Sequence, residues 1–330
     1  FPVMGVCLYL FCGHSSATRG MRKRFHAIWE KLRVYLRKDD PVMEKLKTQD
    51  AMAYHQCYYI GKKVGYPLYE NTDVVFYKEA ADGFHAQIEE MKKAQKFIFM
   101  EYHAIEDREA FAEMKAVLFA KAKEGVEIRI VYDDVGSVGF ISPEFVKQMK
   151  AHGIDCRIFN PMMPVLNIFM NNRDHRKITV IDGMVGFTGG YNLANEYFNI
   201  THPYGVWKDS GVRLEGEAVR SLTLIFLEMW NAIRDTDTAY ETYLPDCVFE
   251  AKGGGYVQPY ADSPLDKERV GENVYMNIIK GATEYVYFIT PYLIISDEMK
   301  RELGLAAKRG IDVRIVTPGI PDKKLVYKLT

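Results

Sequence analysis

The run AKEGVEIRIV (residues 122–131) returns near the other end of the chain as AKRGIDVRIV (residues 307–316). Each copy reads as the end of a helix, a glycine suited to a left-handed C-cap, and a strand. The likeness extends outward, because residues 96–136 and 284–319 follow one order of strand, helix, glycine and strand. Parallel strands need a crossover helix, so a βαβ unit present twice restricts the chain to sheets covered by helices. An internal duplication is the economical explanation.

Between the two copies the same alternation continues. Phe84, Ile88 and Met91 lie on one helical stripe, and KFIFME (residues 96–101) reads as a buried strand. A helix over 109–123 closes at Gly125, with a strand over 126–134. Ser142 and Pro143 open the next helix as N-cap and first residue, Gly153 closes it, and a strand follows over 154–159. Residues 177–182 and 185–188 read as two strands joined by a tight turn at Asp182-Gly183. Val219, Leu222, Phe226, Met229, Trp230 and Ile233 mark an amphipathic helix. From 251 to 273 the chain turns rich in Gly, Pro and Asp, which predicts a domain boundary. The expected division is a first half over 61–250 and the start of a second over 251–330.

With 48% apolar residues among 330, the chain has ample material for a core, which excludes disorder. Its 43 basic and 44 acidic side chains leave a formal charge of −1, so no global positive field gathers nucleic acid and any anion site must be local. The 5 cysteines are scattered without C-x-x-C spacing and read as reduced packing residues. Residues 1–12 carry no charge, and the basic stretch 14–60 that follows includes Arg19, Arg22, Lys23 and Arg24. We expect the cytoplasmic end of a transmembrane helix over 1–13, with the basic segment held inside.

The chemistry concentrates in NNRDHRKITVIDGMVGFTGGYNLANEY (residues 171–197). His175 and Lys177 are two apart at the start of a strand, so both side chains leave one face. An imidazole beside an ammonium suits attack at phosphorus: one supplies a nucleophile or acid/base, the other neutralises phosphoryl oxygens. Asp182 ends the same strand, Gly189 and Gly190 permit close backbone approach to a ligand, and Asn192 offers an amide donor. No carboxylate or Cys/His cluster with ligand spacing surrounds His175, so neither metal nor cofactor is expected. Glu101 is either a buried structural acid or a supporting group of the site. His103 follows a strand at the same sheet edge and is a candidate for lining the pocket, whereas the other six histidines outside the motif read as packing or surface residues. Trp207 is expected to pack beneath the site.

These residues resemble the signature of the phospholipase D superfamily, and residues 173–197 are similar to the bacterial cardiolipin synthases within it. The likeness continues through VWKDSGVRLEGEAVRSL (residues 206–222), GGYVQPYADSPLDKERVGEN (residues 254–273) and FITPYLIISDEM (residues 288–299). The resemblance implies an α/β fold made of two phospholipase D halves, mixed sheets flanked by helices, with one H-x-K motif from each half meeting at a single site. One histidine forms a covalent phosphohistidine and the other handles protons. It assigns His175, Lys177 and Asp182 to catalysis, Lys177 and Asn192 to the phosphoryl oxygens, and Asp209 to orienting the histidine. No metal or cofactor is implied.

The implied reaction joins two phosphatidylglycerol molecules into cardiolipin and glycerol at the cytoplasmic side of a bacterial inner membrane. A phospholipase D hydrolase or a phosphatidylserine-synthase-like transferase is the alternative, and a nuclease fits the charge balance less well. The apolar run PMMPVLNIFM (residues 161–170) is either core or a loop that admits acyl chains. Gly125 precedes His175 by 50 residues. The duplication therefore places the partner of His175 about thirty residues beyond Thr330.

Overall fold

The computed structural model describes residues 18–36, 40–161, 173–246, 248–263, 268–322 and 327. The apolar stretch 1–12 and nearly all of 161–170 lie outside them, as does any transmembrane end. No described helix is long and apolar enough to cross a membrane.

The helices are α1 (Thr18–Leu32), α2 (Asp40–Gln49), α3 (Ala51–Tyr58), α4 (Ala80–Lys92), α5 (Glu109–Lys123), α6 (Pro143–Ala151), α7 (Val219–Ile233), α8 (Val270–Gly281) and α9 (Asp297–Lys308). The strands are β1 (Thr72–Tyr77), β2 (Phe97–Tyr102), β3 (Glu127–Asp133), β4 (Asp155–Phe159), β5 (Lys177–Ile181), β6 (Val185–Gly189), β7 (Gly211–Gly216), β8 (Tyr285–Ile289) and β9 (Asp312–Val316). Seven of them form one mixed sheet in the order β1-β7-β6-β5-β2-β3-β4. Strands β2, β3 and β4 are parallel, joined through α5 and α6. Strand β5 then enters antiparallel to β2, and β6, β7 and β1 continue antiparallel.

Alternation along the strands divides the core in two. Phe97, Phe99, Ile178 and Val180 face α7, while Ile98, Met100 and Ile181 face α4, α5 and α6. Helix α7 is buried almost all round, because α1 lays Phe25, Ile28 and Leu32 over the side that the sheet leaves uncovered. Ser142 caps α6 as its spacing predicts, its hydroxyl accepting from the Phe145 amide at 3.3 Å.

The second βαβ unit repeats the first. Strands β8 and β9 are parallel, and with α8 and α9 they enclose a small core of Ile279, Val286, Met299, Leu303 and Ile311. Both crossover helices end on a left-handed glycine, with φ +92° at Gly125 and +91° at Gly310. In each, the next amide reaches back to the last turn, Val126 to Lys121 at 3.0 Å and Ile311 to Ala306 at 3.1 Å. The connecting chain returns along the first unit, where Val257 bridges Tyr69 and Gln258 donates to the carbonyls of Cys57 and Tyr66.

Candidate active site

The parallel strands β2, β3 and β4 end at one rim of the sheet, the side where open α/β sheets place their ligands. Residues 173–177 cross that rim. Lys177 opens β5 opposite Tyr102 of β2, which fixes His175 just outside the sheet. The Lys177 ammonium donates to the His175 carbonyl at 2.7 Å and stands 3.1 Å from His175 Nδ1. His175 is exposed and Lys177 buried. Burial pushes Lys177 down to about 8, with Asp174 and Asp209 pulling the other way.

The approach to His175 is held by Asp133, a fully buried carboxylate at the end of β3. It accepts from the Asp174 amide at 3.0 Å, the Gly136 amide at 3.0 Å and the Arg173 guanidinium at 3.3 Å. Beneath lies Glu101, also fully buried, 3.3 Å from Arg176 Nε. Burial raises Glu101 well above the usual carboxylate range, and the neighbouring Asp174 adds to this against the pull of Arg176. Glu101 is thus a buried acid behind the rim, set against the side chains of Arg176 and Asp174, the residues on either side of His175.

The other expected residues divide. Asp209 lies at the site: its charge acts on Lys177, and it accepts from the Ser210 amide at 2.9 Å and the Trp207 indole at 3.4 Å. Burial raises its carboxyl, with the Ser210 and Trp207 hydrogen bonds opposing. Asn192 is buried, its oxygen accepting from the Ala104 amide at 3.2 Å and its nitrogen donating to the Tyr197 hydroxyl at 2.7 Å. Gly189 and Gly190 do allow a close approach, but within the protein. A Cβ on Gly189 would fall 2.6 Å from the Ser210 carbonyl, and one on Gly190 would collide with the Asp209 carboxylate.

Asp182 is not brought to the pair. It stands at the far end of β5, about 17 Å away by strand rise, in the left-handed region at φ 52°. Its carboxylate accepts from the amides of Gln95, Lys96 and Phe97 at 2.8, 2.8 and 2.9 Å. This residue holds the start of β2 and touches no reacting group.

A pocket of about 930 Å³ opens beside the rim. Its lining mixes His175, the basic Lys177 and Arg173, the acidic Asp262, Glu268 and Glu272, and the edges of the buried core residues Phe25, Phe159 and Leu222. Among the described residues, no group of three His, Cys, Asp or Glu side chains is arranged to hold a metal ion.

Residues 87–230 match the family described as cardiolipin synthase, PLD-like domain. A Streptococcus mutans protein described as uncharacterized is 40% identical over 329 residues, covering 100% of this chain and 71% of its own length. The cardiolipin synthases of Alkalihalophilus pseudofirmus and Geobacillus kaustophilus are 31% and 32% identical, each over 99% of this chain. The chain spans 65% of the length of each of these two synthases. Among solved structures, the phosphatidylserine synthase of Haemophilus influenzae shares the fold with a TM-score of 0.54 at 12% identity, over 79% of this chain and 66% of that one. The matched segment contains the His175–Lys177 pair and strands β2 to β7, and over that segment the chain is similar to the phospholipase D-like domain of the cardiolipin synthases.

Proposed function

We propose that the chain supplies one catalytic half of a membrane-associated phosphatidyltransferase, acting at the cytoplasmic face, that joins two phosphatidylglycerol molecules into cardiolipin and glycerol. The observation that supports it is the His175–Lys177 pair at the rim of a pocket that Arg173 also lines. Lys177 and Arg173 bring positive charge to the side from which a phosphodiester would meet His175.

One imidazole of a pair attacks phosphorus, the P–O bond to the first glycerol breaks, and the second imidazole gives that oxygen a proton. The second imidazole then takes the proton from a hydroxyl of the next phosphatidylglycerol. Its oxygen bonds to phosphorus as the P–N bond breaks, which restores both histidines. His175 is one of the pair, and the other belongs to a second H-x-K motif in the second half. Lys177 and Asn192 hold the phosphoryl oxygens, and Asp209 sets the charge around Lys177.

Purified enzyme carrying both motifs, given phosphatidylglycerol vesicles and analysed by thin-layer chromatography, should yield cardiolipin with glycerol. Phosphatidic acid as the sole product would assign the protein to hydrolysis, and no lipid product would overturn the reading.

A further inference from the structure

Two imidazoles meet at the rim. The ring of His103, one residue past β2, stands 4.8 Å from that of His175 between centroids, inclined by 50°. His103 Nδ1 is 2.7 Å from the Asp174 carbonyl oxygen, a pure acceptor, so Nδ1 carries the hydrogen and donates it. Asp133 takes the other side of the same residue through the Asp174 amide at 3.0 Å. Asp174 is therefore gripped at both its N–H and its C=O, and its carbonyl belongs to the peptide that begins His175. Space for the ring depends on Gly136, where a Cβ would lie 2.7 Å from His103 Nε2 and Cε1.

We infer that His103 is a positioning residue for His175: by donating from Nδ1 to the Asp174 carbonyl and backing the His175 ring, it fixes the peptide and the plane from which the reactive imidazole works. The inference rests on His175 being the reactive group. The groups facing His103 are the His175 imidazole and Asp174 from the crossing segment, Asp133 from β3 and Lys177 from β5. Burial lowers the pKa of His103 and Lys177 lowers it further, against the Asp174 carbonyl and Asp133. A His103 that stays uncharged keeps one tautomer and adds no positive charge beside Lys177.

The test separates the donor from the ring. In the enzyme carrying both motifs, His103→Phe keeps ring area without a donor, and His103→Asn keeps an amide donor near the Nδ1 position. Small misplacement of a reacting group costs tenfold to a hundredfold in rate, so His103→Phe should lower kcat by at least about tenfold with KM for phosphatidylglycerol within about twofold. His103→Asn should recover to within about threefold of the parent. A His103→Phe enzyme with the parent kcat, or a His103→Asn enzyme no faster than His103→Phe, overturns the inference.

Histidine 15N NMR of the 330-residue chain reads the geometry without needing activity. His103 should show a protonated Nδ1 and a bare Nε2 at pH 7, and a protonated Nε2 overturns the assignment. If the parent enzyme lacks transferase activity, the functional reading fails on its own terms while the NMR result still decides the His103 hydrogen bond.

Discussion

Lys177 is where stability and function oppose each other. To clamp phosphoryl oxygens it must be an ammonium, yet burial brings it down to about 8. The charged form is therefore lost as pH rises through about 8, and kcat measured between pH 6 and 9.5 should fall on that limb. In the unfolded chain a lysine titrates near 10.4, so folding favours the uncharged form. The resulting penalty is fully present below the folded pKa and is relieved as pH rises from about 8 toward 10.4. Lys177→Met should accordingly abolish turnover while raising Tm at pH 7. His175 is exposed, so His175→Ala should cost several orders of magnitude in rate and leave Tm within about 2 °C. Near-parental cardiolipin formation by either variant would refute the assignment. The pair itself was legible because a period of two places both side chains on one face. Asp133 was not, since it stands forty-one positions before Asp174 and only the parallel pairing of β3 beside β2 brings it to the rim. His103 was visible as a histidine after a strand, but its contact with His175 depends on β5 pairing with β2.

At the scale of elements, Asp182 shows how spacing misleads. A carboxylate at a fixed distance after H-x-K invites a catalytic reading, whereas the Asp182-Gly183 turn, with φ of 52° and 70°, was legible as a turn. The three amides that occupy the carboxylate come from the end of the α4–β2 connection and the first residue of β2, which the local sequence does not reveal. Asp182→Ala should cost about 2–3 kcal/mol of stability, measured by urea denaturation, with kcat unchanged below the new midpoint. A large kcat loss at full stability would return Asp182 to the catalytic set. The duplicated glycines offer a matched pair. Gly125→Ala and Gly310→Ala both force an L side chain into the left-handed region, at about 1 kcal/mol each, and closely similar Tm losses are expected if the two crossovers are one motif. Strands β1 and β7 were missed for a physical reason. Strand β1 is an edge strand that leaves Val74, Val75 and Phe76 exposed, and β7 interleaves Arg213 and Glu215, the Arg213 guanidinium donating to both Glu215 and Glu90. Neither shows the apolar alternation of a half-buried strand.

For the whole molecule the decisive count is of proton-handling groups around one phosphorus. The leaving and incoming alcohols pass through an in-line arrangement, so an acid/base must stand opposite the nucleophile. The seven-stranded sheet presents one H-x-K pair at its rim. His103 does not supply the other side, because its ring lies against His175 and its Nδ1 is committed to the Asp174 carbonyl. The repeat of β2–α5–β3 in β8–α9–β9 carries the same local geometry, down to the glycine cap. We therefore propose that the second half continues the same topology to a second H-x-K motif facing His175. It follows that residues 1–330 alone should make no cardiolipin from phosphatidylglycerol, while the chain extended through a second motif should. Synthesis by the 330-residue chain as a monomer, established by sedimentation of the active species, would show that one H-x-K pair suffices. Synthesis confined to a dimer would instead mean that two copies bring their single motifs together, which keeps the requirement for two imidazoles and changes only where the second comes from.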